Sequence, residues 1–123
     1  MATENEIEAF LVSDFQATKD DAGVFSKTVN FDGKHSQYIM LALMGGSWLQ
    51  IIVPLEKLTS DKLNDTLDII GSIYPVGGLI KLGNNFAYRQ SVSVKHFTPD
   101  LFNMALAHTV KCSMGLKEKL GIA

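Results

Sequence analysis

Three histidines, one cysteine and a set of spaced aspartates are the side chains with the most chemical potential in this chain. His35, His96 and His108 could act as metal ligands or general bases if partnered, and Cys112 as a ligand or nucleophile. None of the histidines stands at metal-ligand spacing from another His, Cys or carboxylate. His35 lies beside a turn and His96 just before a helix cap, where a solvated or locally hydrogen-bonded ring is expected. Cys112 falls on the apolar stripe of the last helix, where a buried, inert thiol is expected. Asp61, Asp65 and Asp68 run along a helix without histidines nearby and read as its wet face. The glycine-rich pieces "MGGS" and "PVGGLIKLG" lack the spacing of a phosphate-binding loop, and neither leads from a strand into a helix. Ser26, Ser36, Ser91 and Ser93 have no nucleophile elbow around them. The chemistry these residues offer is weak. No catalytic, cofactor or metal site is expected, and the chain reads as a non-enzyme.

The elements that would position these residues are easier to read. The chain has 123 residues, the size of a single domain spanning 1–123, and 46% of them are hydrophobic, enough for a core. A formal charge of −2 argues against nucleic acid as a partner. The single cysteine rules out an internal disulfide and suits a reducing cytoplasm. The acidic, polar start "MATENEIEAF" does not read as a secretory signal, and no lipidation motif is visible.

Thr3 and Glu6 form a capping box for a first amphipathic helix over 4–18, with Ile7, Phe10, Leu11 and Phe15 at helical spacing and Gly23 as its stop. "VFSKTVNF" is a strand with Phe25, Val29 and Phe31 on one face, interrupted by Lys27, and "DGK" at 32–34 is a tight turn. The uncharged run "YIMLALMGGSWLQIIVPL", Tyr38 to Leu55, has a length near that of a membrane span. Its paired glycines are poor inside a helix and good in a hairpin, and Pro54 ends the second flank. The run is read as two antiparallel strands. Both are apolar on both faces, which predicts the middle of a sheet with cover on each side. Trp48 opens the third strand and is read as core, with a partner-anchoring role as the alternative.

"TSDKLNDTLDIIGSIYP" is a second helix with a stripe of Leu63, Leu67, Ile70 and Tyr74, widened by Ile69 and Ile73 and stopped by Pro75. "VGG" turns the chain into "LIKL", "GNN" is a hairpin turn, and "FAYRQSVSV" alternates as a strand. Thr98 caps the last helix, Pro99 stands at its first position and Gly121 ends it. The expected fold is α+β: a mainly antiparallel five-stranded sheet with three helices, in the order α-β-β-β-α-β-β-α.

That order, with "WLQIIVPLEKL" leading into a helix, the hairpin "GGLIKLGNNFAYRQSVSV" and "TPDLFNMALAHTV" opening the final helix, resembles the type III secretion chaperone-like fold, and within it the YbjN-like family. The resemblance spans about Ile7 to Leu120. It implies a non-enzymatic, cytoplasmic protein, chaperone-like or regulatory, that dimerises and holds an extended segment of another protein against apolar surface. Dedicated secretion chaperones are markedly acidic, and this nearly neutral chain favours the regulatory branch. By the same resemblance Leu63, Leu67, Ile70, Ile73 and Tyr74 form a partner or dimer interface. Phe10, Phe15 and Trp48 are candidates for a groove. Two readings compete with the homodimeric binding module. One is a small-ligand or enzymatic domain with a pocket between sheet and helices, using Tyr88, Arg89 and Gln90. The other is a structural subunit of a larger assembly. No cofactor, nucleic acid or membrane partner is expected.

Overall fold

The structure, a computed structural model, describes residues 3–30, 36–73 and 78–122, the side chains of 71–73 excepted. The "DGK" turn, Val76 and Gly77 of "VGG", Phe31, His35, Tyr74 and Pro75 lie outside the described residues.

Helix α1, Glu4–Ser13, starts where the sequence says it should: the Thr3 hydroxyl accepts the Glu6 N–H at 3.2 Å. It is shorter than the helix expected over 4–18. The N–H groups of both Asp14 and Phe15 bond to the Phe10 carbonyl, which closes the last turn. Gln16 then takes a φ of 63°, a left-handed value that breaks helical propagation. Gly23 is therefore no helix stop. It sits at φ 83° in the turn after a short strand β1, Thr18–Lys19, which the sequence reading lacks. In that turn Asp20 accepts the N–H groups of Ala22 and Val24, both at 2.9 Å.

The remaining strands are β2 (Phe25–Asn30), β3 (Ser36–Met44), β4 (Trp48–Leu55), β5 (Gly78–Leu82) and β6 (Asn85–Ser93). They form one antiparallel sheet in the order β1-β2-β3-β4-β6-β5. With β1 at its edge the sheet has six strands rather than five. The uncharged run is a hairpin, with Met44 opposite Trp48 and both Gly45 and Gly46 at positive φ. No helix among the described residues is long and apolar enough to cross a membrane. Pro54 does not end its strand. β4 continues beside β6 to the pair Leu55↔Phe86, whereas its register with β3 runs only from Met44↔Trp48 to Met40↔Ile52. A residue without an N–H thus lies beyond the paired part of β3.

A 3-10 turn at Ser60–Lys62 leads into α2, Leu63–Ile73. The Lys62 ammonium donates to the Leu120 carbonyl at 2.9 Å, placing a cation at the C-terminal end of α3. Helix α3, Pro99–Leu120, has the expected ends: the Thr98 hydroxyl accepts the Leu101 N–H at 3.1 Å, and Gly121 closes the helix at φ 68°.

All three helices lie on one face of the sheet. Ile7 and Leu11 of α1 and Phe102, Leu106 and Val110 of α3 pack on Phe25, Ile39, Leu41, Leu49 and Ile51. A second cluster joins Leu55 and Tyr88 to Cys112, Leu116 and Leu120, with Ile69 and Ile70 of α2 against it. Lys27, which interrupts the apolar face of β2, is accommodated by Phe15: its ammonium lies 4.4 Å from the ring centroid and donates to the Phe15 carbonyl. The expectation of helical cover on both faces does not hold among the described residues, although Ile52 and Ala87 on the second face are themselves buried. β3 and β4 are central, but helices pack on one side only.

Candidate functional site

The uncovered face is the feature of this molecule best suited to binding. Side chains alternate along a strand, so the neighbours of the buried Leu41, Leu49 and Ile51 point the other way. Cross-strand pairing arranges them in rows: Met44 with Trp48 and Ser93, Ala42 with Gln50 and Ser91, and Met40 with Ile52, Arg89 and Gly78. A further row places Pro54 beside Ala87 and Ile80, and Tyr38 faces Thr28 on β2. Trp48 is 50% exposed, Met44 51% and Tyr38 48%. Trp48 is therefore not a core residue. It occupies the solvent-facing phase of β4 near a sheet end, paired with the equally exposed Met44 and with no helix over it. Arg89 is the only charged side chain on this face among the described residues.

The candidate groove residues are divided between sites. Phe10 and Phe15 meet around Phe102 on the helix side, with ring centroids 5.5 and 5.2 Å from it, and Phe97 completes the cluster. Trp48 is on the other face of the sheet. Of the α2 stripe, Leu67 is 50% exposed, Leu63 half-buried, and Ile70 packed against the second core cluster. Among the described side chains of α2, Thr66 is the fully buried one, and its hydroxyl donates to the Lys62 carbonyl at 2.8 Å.

Tyr88, Arg89 and Gln90 do not converge. Tyr88 is fully buried under α3, and the Gln90 side-chain oxygen lies 2.8 Å from the Thr109 hydroxyl on the same side. Arg89 points to the open face. Asp61, Asp65 and Asp68 are exposed, as expected. His96 is exposed. Cys112 is buried, and its surroundings push the thiol pKa up, burial outweighing a hydrogen bond from Tyr88 and the Lys111 charge. A raised thiol is a poor nucleophile at neutral pH. Its sulfur lies 3.8 Å from both ring nitrogens of His108, one helical turn away, a pairing the sequence reading missed although the spacing of four residues encodes it. Among the described residues no group of three or more His, Cys, Asp or Glu could hold a metal ion.

A cavity of about 440 Å³ opens where β3 and β4 part beside Pro54. The C-terminal part of α3 closes its other side. Lys117 lines it, and its ammonium donates to the Gln37 side-chain oxygen at 2.8 Å across a separation of 80 residues. Burial holds the Lys117 pKa below the ordinary lysine value; nearby Glu56 opposes that effect and Lys57 adds to it.

No protein-family model matches the chain, and no curated protein matches it. Among solved structures it is similar to a chain of the HopA1–SchA chaperone–effector complex, with a TM-score of 0.68 and 17% identity over 93% of this chain and 95% of that one. At that identity the shared property is the fold: this chain has the α+β, chaperone-like fold that the pattern of its elements implied.

Proposed function

We propose that the chain is a non-enzymatic, cytoplasmic protein-binding module, chaperone-like or regulatory, that works through apolar surface as a homodimer. The observation that carries this reading is the open sheet face. It presents Trp48, Tyr38, Met40, Met44 and a single Arg89, the residue types that dominate protein interfaces. Large apolar side chains exposed side by side among polar ones, as Met44 and Trp48 are here, are a common mark of a protein-binding surface. An extended segment of another protein, apolar at alternate residues, is the occupant that suits this face. The similarity to a chain of a chaperone–effector complex supports it at the level of fold. The near-neutral charge favours the regulatory, YbjN-like branch.

Self-association is assigned to α2. The exposed Leu67 and half-buried Leu63 continue the stripe of Ile70, Ile73 and Tyr74 that sequence reasoning selected. A specific interface there would bury roughly 800 Å² per subunit.

Two measurements test the reading. A photo-crosslinking amino acid placed at Trp48 should capture a discrete set of proteins in native lysate that the same group at Met104, exposed on α3, does not. Equal capture at both positions would refute the sheet face as the binding surface. Light scattering should give a dimer for the wild type and a monomer for Leu67→Asp, which alters an exposed site and leaves the core intact. A wild-type mass of 13.5 kDa at tens of micromolar would refute the dimer.

A further inference from the structure

The cavity beside Pro54 shares Tyr38 and Pro54 with the margin of the open sheet face and differs from that face in its charged lining. Its wall includes the apolar side chains of Leu55, Met114 and Ile122, and its polar side carries Lys117, Lys57 and Glu56. About 440 Å³ lies within the range of small-ligand sites. Lys117 is the unusual member. It is half-buried, its one hydrogen-bond partner is the neutral oxygen of Gln37, and it makes no ion pair among the described residues. Glu56 offsets part of the burial of this cation from a distance, but among the described residues no carboxylate contacts the ammonium, so the place of a direct charge-assisted partner is open. A carboxylate entering the cavity would fill it with a charge-assisted hydrogen bond.

We propose that this cavity binds a single carboxylate carried on a small apolar body, with Lys117 as its charge partner and Leu55, Met114 and Ile122 as its apolar bed. The lining as a whole sets the selectivity. Glu56 and Glu118 also border the cavity, so two ammonium groups face two carboxylates. With two lysines and two glutamates in the lining, charge alone favours neither anion, but a monoanion with an uncharged tail also buries apolar surface on Leu55, Met114 and Ile122, which a phosphate dianion cannot do. The same chemistry is presented by a free aliphatic acid and by the C-terminal carboxylate of a peptide ending in an apolar residue. This inference does not depend on the protein-binding reading of the sheet face. Loss of binding at Trp48 would leave it untouched.

The test is a two-dimensional NMR titration of the full chain with four probes: hexanoate, N-acetyl-Gly-Leu as the free acid, the same dipeptide as its amide, and inorganic phosphate. The expected result is saturable shifts at residues 36–38, 54–57 and 114–122 for at least one of the two acids. The amide should bind at least about tenfold more weakly than its acid, and phosphate should give no saturable shift. Tighter binding of the dipeptide acid than of hexanoate identifies a peptide C-terminus as the source, and the reverse order identifies a free acid. Lys117→Met, which keeps the apolar stem, should weaken acid binding at least about tenfold with the spectrum otherwise preserved. Lys57→Met, on the rim, should weaken it less, and it provides the charge test should Lys117→Met fail to fold. Absence of saturable shifts with both acids up to about 10 mM would overturn the proposal. Equal binding of acid and amide would also overturn it, as would unchanged affinity in folded Lys117→Met or, where that variant does not fold, in Lys57→Met.

Discussion

Trp48 and Leu49 are adjacent in sequence and opposite in environment, and truncating each to alanine measures which face of the sheet is covered. Leu49 is fully buried under the helices. Its truncation removes three heavy atoms and leaves a void among Ile7, Leu11, Leu41 and Ile51, so about 3–4 kcal/mol is expected, within the known range for such changes. Trp48→Ala removes many more atoms but should cost less. A fully buried tryptophan hides about 150–250 Å², and Trp48, half exposed, hides roughly half of that. At about 25 cal/mol per Å², and after reduction for a denatured chain that already buries some surface, the loss is about 1–2.5 kcal/mol. No void term is added, because the site opens to water. Urea unfolding followed by far-ultraviolet circular dichroism gives both values with unchanged slope. A cost for Trp48→Ala equal to or above that for Leu49→Ala at micromolar concentration would refute the reasoning and mean that something covers this face. If that excess cost faded on dilution, a second subunit would be the cover.

Two further outcomes follow from the buried polar groups. Cys112 should react with a thiol reagent far more slowly in the native protein than in urea, and Cys112→Ser should cost about 1–3 kcal/mol through a hydroxyl placed in an apolar cluster; rapid native labelling would contradict its burial. Lys117 has a folded pKa below its unfolded value, which is near 10.5, so the unfolded state holds more protons in between. Stability should therefore rise with pH from the lowered folded value up to about 10.5, by less than about 1 kcal/mol because the site is half open to water. Lys117→Met should abolish that rise in urea midpoints measured between pH 7 and 10.5. An identical rise in the variant would assign it to another group.

Local signals carried the ends of elements well. Thr98, Pro99 and Gly121 define α3 because caps depend on a few neighbouring residues, and the Gly45–Gly46 pair resolves the apolar run into a hairpin because positive φ is a local demand. The end of α1 was not legible. Phe15 keeps helical spacing, but it serves the cluster around Phe102 from outside the helix, and the left-handed turn at Gln16 has no glycine to announce it. Strand β1 was missed because two exposed residues leave no periodic trace. The two-faced apolarity of β3 and β4 correctly signalled central strands. It could not tell whether the second face is covered within the chain or by a partner, since both cases select the same residues. Trp48 was misjudged for that reason: its residue type fits a core and an interface equally, and only the phase of β4 against the helices separates them. The cavity was invisible for a different cause. Gln37 and Lys117 are 80 residues apart and meet because the Pro54 end of β4 lies beyond its pairing with β3, while α3 returns across that end. Its charge partner, its apolar bed and its opening come from separate elements. A site assembled in that way has no motif. Only the folded chain brings the half-buried Lys117, which has no carboxylate in direct contact among the described residues, to a wall that also carries the apolar Leu55, Met114 and Ile122.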